Sequence, residues 1–396
     1  MVKFVTAGRI FGMPWWLAVT VVFVIGRIIS TVMLLWFAAH QQENPWTGAH
    51  PTLWEFSSVW DARWYNIIAE VGYPQVLPRD PSGHVIENAW AFLPLYPMTV
   101  KLLMVVTGLS WNVAAVMVSL VFALAATLVI FRLLLKVLTQ EQAFFAVVLF
   151  SVSPVSAVYQ VAYAESMQMF LIAVALLFLL KRWYLSIIPI VFILGVTRPG
   201  SIALAMTLGL HFIYRMWDSR RADFSIAERW KVVVAAAAAF IAGLEWNLIA
   251  GFVTGVPNAY IQTELAWRNP YIGWKSLVPF TPWIEATQWW FPGFIGWLIL
   301  AGFLGLLALI VFNPWFKKIG WDLNFWNISY SLYLIAVFFP QASTFRILAP
   351  IFPVLGALAV PKSKIYRVSI VVLFIAMQWA WIHFMWSIMP PDWTPP

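Results

Sequence analysis

The chain has 396 residues, 62% of them hydrophobic and only 10% charged, with 26 Trp, 31 Phe and a net charge of +8. A mean hydropathy of +0.83, with several apolar runs near the roughly 20 residues a spanning helix needs, excludes a soluble globular protein. The absence of cysteine removes disulfides, thiolate metal sites and thiol nucleophiles; the five His are scattered, and the basic residues form no stripe suited to nucleic acid.

Lys3 and Arg9 precede an apolar run over 15–38 that is too long for a cleavable signal core and lacks a small-residue cleavage site, so it reads as a retained anchor. Further runs follow at 111–135, 142–161, 164–180, 183–197, 200–216, 231–253, 293–313, 323–340, 345–360 and 368–388, giving about eleven spans. The run 91–107 carries Lys101 near its middle and breaks at Pro94 and Pro97; it is expected to lie on the outer interface. The predicted fold is an all-α polytopic bundle forming one integral membrane domain over 1–396, without repeats or a soluble domain.

Sixteen of the 24 Lys and Arg fall at the N-terminus or in alternate connections: Arg132/Lys136, Lys181/Arg182, Arg215 to Lys231, Lys317/Lys318 and Lys362 to Arg367. The positive-inside rule then places the N-terminus in the cytoplasm and leaves the two long connections, 39–110 and 254–292, outside. Asp61, Tyr163, Glu165, Arg198, Glu245 and Arg346 all fall toward that outer side. Ionisable residues at membrane depth are costly enough to mark function, so the pattern predicts an outward-facing polar site.

The segment 56–72 has helical spacing, with Trp60 and Trp64 expected on a lipid-facing side and Asp61 turned to the headgroups. From spacing alone Asp61 serves equally as a helix cap, as a partner of Arg63, or as a catalytic acid. Arg198 and Arg346 suit bidentate phosphate contact or simple snorkelling; Arg63 is a further cation that orients Asp61 or meets phosphate. Glu165 is a helix-start acid or a sugar or arginine contact. Glu245 is a candidate counter-ion for Arg198, Arg27 a structural ion pair inside the first span, and Arg268 part of a Trp-rich loop over 267–297 that anchors the chain or shapes an acceptor cleft.

Four blocks in order, Trp-Asp-x-x-Trp-Tyr-x-x-Ile-Ala-x-x-Gly-Tyr at 60–73, Phe-Leu-Pro-Leu-Tyr-Pro at 92–97, Ser-Pro then Ala-Tyr-x-Glu-Ser at 153–154 and 162–166, and Thr-Arg-Pro at 197–199, resemble the PIG-V-type mannosyltransferases of the GT-C class. The resemblance spans roughly residues 15–355, with a shorter match around Arg346. It implies a GT-C-like bundle and an inverting transferase using a polyprenyl-phosphate sugar, usually mannose, with Asp61 as the acid; Arg63, Tyr163, Glu165, Arg198, Arg268 and Arg346 are the expected substrate contacts. The acceptor, a glycolipid or a cell-envelope glycan, stays open, as does the sugar: arabinose, galactose and glucose fit equally. No cofactor is expected and no metal, because guanidinium groups suffice for a monophosphate. A transporter predicts inverted repeats and midplane polar residues instead, and a structural subunit predicts a dispensable Asp61. The compact chain is compatible with a bacterial plasma-membrane enzyme, and an endoplasmic-reticulum origin stays open.

Overall fold

The computed structural model describes residues 8–218 and 223–388, so Lys3 and Arg220, two of the cations that orient the chain in the sequence, lie outside the described residues. Among the described residues the regular elements are all helical: α1 (Trp15–Ala39), α2 (Leu53–Phe56), α3 (Asp61–Val71), α4 (Leu95–Thr107), α5 (Trp111–Leu134), α6 (Gln140–Ser151), α7 (Glu165–Leu180), α8 (Tyr184–Gly195), α9 (Ser201–Asp218) and α10 (Ile226–Thr254) come first. They are followed by α11 (Ala259–Ala266), α12 (Asn269–Ile272), α13 (Pro282–Trp290), α14 (Phe294–Phe312), α15 (Pro314–Lys318), α16 (Trp321–Val337), α17 (Thr344–Ile347), α18 (Pro353–Leu358) and α19 (Lys364–Trp381). Helices α5 and α7, and the trio α8, α9 and α10, form the packed centre, with α16 laid along α9. The chain is an integral, multi-pass membrane protein.

Among the described residues five helical segments are long and apolar enough to cross a membrane: Trp15–Ala39, Trp111–Leu134, Ile226–Thr254, Phe294–Lys318 and Lys364–Trp386. Shorter apolar helices accompany them, among them Glu165–Leu180 and Tyr184–Gly195, and two of the expected runs are interrupted. The run 142–161 stops as an α-helix at Ser151, because Pro154 cannot donate to the ladder, and resumes as a 3-10 turn over Ser156–Gln160. The run 345–360 is likewise cut by Pro350 and Pro353 into α17, a 3-10 turn at Ala349–Ile351, and α18.

Each break frees backbone carbonyls away from water, and each finds a donor. At the first, Arg27 of α1 donates from Nη1 to the Ser156 carbonyl at 2.5 Å and from Nη2 to the Ser151 carbonyl at 2.9 Å. Its guanidinium also lies 5.5 Å from the Phe23 ring and 5.8 Å from Tyr159. The ion pair expected of Arg27 is thus replaced by carbonyl capping. At the second break, Trp326 Nε1 donates to the Pro350 carbonyl at 2.8 Å and the Tyr330 hydroxyl to Ile347 at 3.0 Å.

The amphipathic segment also turns differently from expectation. Trp60 is buried, and its Nε1 donates to the Trp386 carbonyl while Trp386 Nε1 donates to Phe56, both at 2.9 Å. Trp64 stacks on Phe92 with ring centres 5.8 Å apart and meets Trp267 at 6.0 Å. An indole N–H needs an acceptor when buried, and the reciprocal pair supplies one at both ends. Asp61 therefore faces the protein interior, not the headgroups.

The helix centre packs through small residues. A Cβ on Gly26 would sit 2.5 Å from the Ser151 carbonyl oxygen, the atom Arg27 caps, so Gly26 sets how closely α1 approaches α6. Gly26→Val is expected to destabilise the protein by about 1–3 kcal/mol through overpacking. Thermal unfolding in detergent, read as a lowered midpoint, checks this.

Candidate functional site

Asp61 occupies the first helical position of α3, after Trp60 in a left-handed conformation at φ 60°. That φ is rare for a bulky residue and persists because the Trp60–Trp386–Phe56 hydrogen bonds hold the indole in place. The strained corner swings the Asp61 side chain inward. Its backbone N–H donates to the Tyr163 hydroxyl at 3.2 Å, and its Oδ2 meets Arg346 Nη1 at 2.8 Å. The helix cap considered for Asp61 does not form as a side-chain bond, since the N-cap residue Trp60 makes none.

Glu165 begins α7 immediately after the irregular segment that Pro154 imposes. Its Oε1 accepts from Arg346 Nη1 at 2.6 Å and lies 3.1 Å from Arg198 Nη1. Arg198 follows the end of α8 and also donates to the Tyr65 hydroxyl at 3.4 Å. Arg346, in α17, is buried, with its guanidinium 4.8 Å from the Tyr163 ring. Four charges from α3, α7, the α8–α9 turn and α17 thus form one buried tetrad. Tyr163 is fixed behind it, its carbonyl accepting from Ser119 at 3.1 Å and the Tyr96 hydroxyl reaching Ser119 at 3.0 Å.

The tetrad forms part of the wall of a cavity of about 380 Å³, a size typical of small-molecule sites. Helix α11 and its continuation supply a further part of the lining: Tyr260, Glu264, Trp267 and Arg268 line the same cavity. Arg268 donates from Nη2 to the Val337 carbonyl at the end of α16. Glu264 and Tyr260 escape a reading by motifs, yet their signal was present. Positions 260, 264 and 268 recur every four residues, placing a tyrosine, an acid and a cation on one helix face. Burial pushes the Glu264 carboxyl up to about 7, while Arg268, Arg198 and the Tyr260 hydroxyl pull it down.

Asp61, Glu165, Arg198, Arg268 and Arg346 come together around this cavity, with Tyr163 behind the tetrad. Arg63 does not. It is exposed on the far side of α3, beside a separate pocket lined by Glu55, Asn66 and Trp111, so it neither orients Asp61 nor reaches the tetrad. Glu245 is not the counter-ion of Arg198, because Glu165 holds that place. It lies instead in the α8–α10 contact, where a Cβ on Gly195 would come 2.1 Å from Glu245 Oε1.

Removing one partner of a buried pair leaves an uncompensated charge, whereas an exposed pair contributes little. Glu165→Ala is expected to cost about 3–5 kcal/mol of stability, and Glu141→Ala, which removes the exposed partner of Arg367, less than about 1 kcal/mol. Equal shifts in thermal midpoint for the two variants would contradict the tetrad's role in the fold.

No curated protein matches the chain. The fold is similar to that of ArnT from Cupriavidus metallidurans, whose crystal structure holds undecaprenyl phosphate, at a TM-score of 0.51 and 13% identity, over 89% of this chain and 62% of that one. The chain therefore spans less than two thirds of the length of that protein. An oligosaccharyltransferase from Archaeoglobus fulgidus is a more distant likeness, with a TM-score of 0.46 and 15% identity over 91% of this chain and 52% of that one. The model of the Mannosyltransferase (PIG-V) family matches residues 47–194, the segment that carries Asp61, Tyr163 and Glu165 and stops short of Arg198. Over that segment the chain matches the PIG-V mannosyltransferase family, and it carries the match in a polytopic helical fold similar to that of ArnT.

Proposed function

We propose that this protein is an inverting glycosyltransferase that moves mannose from a polyprenyl-phosphate donor to a hydroxyl of a glycolipid or cell-envelope glycan at the outer face of the membrane. The observation that carries the reading is the convergence of Asp61 with Arg198 and Arg346 in one cavity, with Asp61 inside the segment matched by a mannosyltransferase family. The likeness to a fold seen holding undecaprenyl phosphate supports a polyprenyl-phosphate donor. Mannose itself rests on the family match alone.

In this mechanism the donor phosphate lies against Arg198 and Arg346, whose planar guanidiniums match phosphate oxygens. Asp61 takes the proton of the acceptor hydroxyl as its oxygen attacks the anomeric carbon opposite the phosphate. The bond from that carbon to the phosphate oxygen breaks, its electron pair stays on the phosphate, and the configuration inverts. Charge developing on the leaving phosphate is offset by guanidinium donors already in place, so we propose that no metal is required. Glu165 holds both arginines by one carboxylate oxygen and acts as a positioning residue.

Sidedness is supported by where the cations sit along the same helices. Helix α7 starts at Glu165 in the site and ends beside Lys181 and Arg182, about 24 Å away at 1.5 Å per residue. At that far end Arg182 and Arg215 lie 3.9 and 3.6 Å from Glu228, and His211 lies 2.7 Å from Asp322. Basic residues at the end remote from the site favour a cytoplasmic placement for that end and an outward one for Asp61.

Two measurements test the reading. Asp61→Asn is expected to lower transfer from polyprenyl-phosphate mannose by at least ~100-fold at matched expression, while the wild type keeps its activity in excess EDTA. Near-normal transfer by the variant would remove Asp61 as the base. For orientation, the native chain offers no background thiol. A membrane-impermeant maleimide added to intact cells should label Lys275→Cys and leave Lys318→Cys unlabelled until the membrane is opened; the reverse pattern would invert the topology.

A further inference from the structure

Glu264 stands apart from the other acids of the cavity. Asp61 and Glu165 each have a guanidinium within 3 Å, whereas among the described residues no cation lies within ion-pair distance of Glu264. Arg268, one turn along, gives its Nη2 to the Val337 carbonyl. Tyr260, one turn back on α11, lines the same cavity. A half-buried carboxylate with spare acceptor sites, facing the same space as the catalytic acid, is an unspent recognition group.

Its chemistry selects the ligand. A carboxylate with no ion-paired cation repels phosphate, so this part of the lining is unsuited to the donor's headgroup, which Arg198 and Arg346 accommodate. Hydroxyl groups donate to carboxylates through short, strong, charge-assisted bonds, and an ionised carboxylate can take two of them at once. Trp267 offers an aromatic surface along the same wall for the apolar face of a sugar ring.

We propose that Glu264, with Tyr260 beside it, is the residue that recognises the acceptor: it accepts hydrogen bonds from hydroxyls of the saccharide that receives the transferred sugar. The inference rests on the transferase reading given above. It deepens that reading by assigning two parts of one cavity lining to two substrates. Glu264 contacts the acceptor and takes no proton in the transfer; that role stays with Asp61.

The elevated Glu264 carboxyl, pushed up by burial to about 7 against the pull of Arg268 and Arg198, gives the assignment a pH signature. Tyr333 and Asp61 also face this group. Below about 7 Glu264 is largely protonated and has lost acceptor sites; above it the carboxylate is restored, so acceptor recognition strengthens as pH rises through that value.

The test uses the full-length protein in lipid nanodiscs, with polyprenyl-phosphate mannose as donor and methyl α-mannoside as acceptor probe. Glu264→Gln is expected to raise the acceptor KM at least ~10-fold, the loss of a charge-assisted bond, with donor KM and kcat at saturating acceptor within about threefold. Glu264→Asp should recover part of the loss, and Tyr260→Phe should show a smaller rise. Wild-type acceptor KM should fall between about pH 6 and 8 while the Gln variant stays flat.

A collapse of kcat with acceptor KM unchanged would make Glu264 a base and overturn the proposal, and so would unchanged kinetics or a rise in donor KM alone. If the wild type transfers nothing to the probe from any polyprenyl-phosphate sugar, the transferase reading fails separately. Saturation-transfer NMR with methyl α-mannoside then decides on Glu264. A signal present in the wild type and lost in Glu264→Gln supports the proposal; no signal in the wild type, or equal signals, overturns it.

Discussion

A buried charge is tolerable in this fold only if another charge meets it, and the Asp61–Arg346–Glu165–Arg198 tetrad is where that constraint is satisfied most tightly. Each of its four members comes from a different segment, so each segment must end at one point in space. That requirement accounts for features that look unfavourable in isolation. Trp60 adopts a left-handed backbone to turn Asp61 inward, α7 begins only after an irregular stretch, and the last third of the chain is cut into short helices around Arg346. Replacing such a network by apolar side chains is often neutral or stabilising in other proteins, so its presence is better explained by chemistry than by stability.

The broken helices serve the same end. In a low-dielectric interior an interrupted helix is tolerated only where the freed backbone groups find partners or line a cavity. Here Arg27 caps one interruption and Trp326 and Tyr330 cap the other, using side chains of continuous helices that run past the breaks. One break leads into Tyr163 and Glu165, the other carries Arg346. The proline residues that terminate the helices therefore bring polar side chains to the cavity instead of burying them within a helix–helix contact.

This pattern explains what was legible in the sequence and what was not. Asp61, Glu165, Arg198 and Arg346 stand within two residues of an aromatic or proline residue in compact blocks, and local blocks survive as local geometry. The all-helical membrane architecture followed from hydropathy alone. Uninterrupted spans at 142–161 and 345–360 failed because a hydropathy run does not register that Pro154, Pro350 and Pro353 remove ladder donors when capping groups are available elsewhere. Arg27 and Glu245 were misjudged for a related reason: their partners are a carbonyl pair and a glycine gap on other helices, set by packing at long sequence separation. Arg63 was grouped with Asp61 because they are near in sequence, but two residues along a helix turn a side chain by about 200°. Glu264 lies in no block at all, and its period-four spacing with Tyr260 and Arg268 gains meaning only once α11 is known to face the cavity.

The charge balance of the tetrad bears on how an anion would be chosen. Two carboxylates against two guanidiniums sum to no net charge, so the site does not attract phosphate by excess positive potential, as an open basic patch would. What remains is directional. Arg346 directs a single nitrogen, Nη1, to both carboxylates, and its Nε has no partner among the described residues; Arg198 uses Nη1 for both Glu165 and Tyr65. Each guanidinium has five N–H donors in a fixed fork. Those not engaged by the carboxylates are held at defined angles by the ones that are, an arrangement that rewards an oxyanion of matching shape and gives little to a point charge. In a membrane site this matters twice over: neutrality lowers the cost of burying the four charges, and preset donors lower the reorganisation that the proposed transfer would need as charge moves onto phosphate.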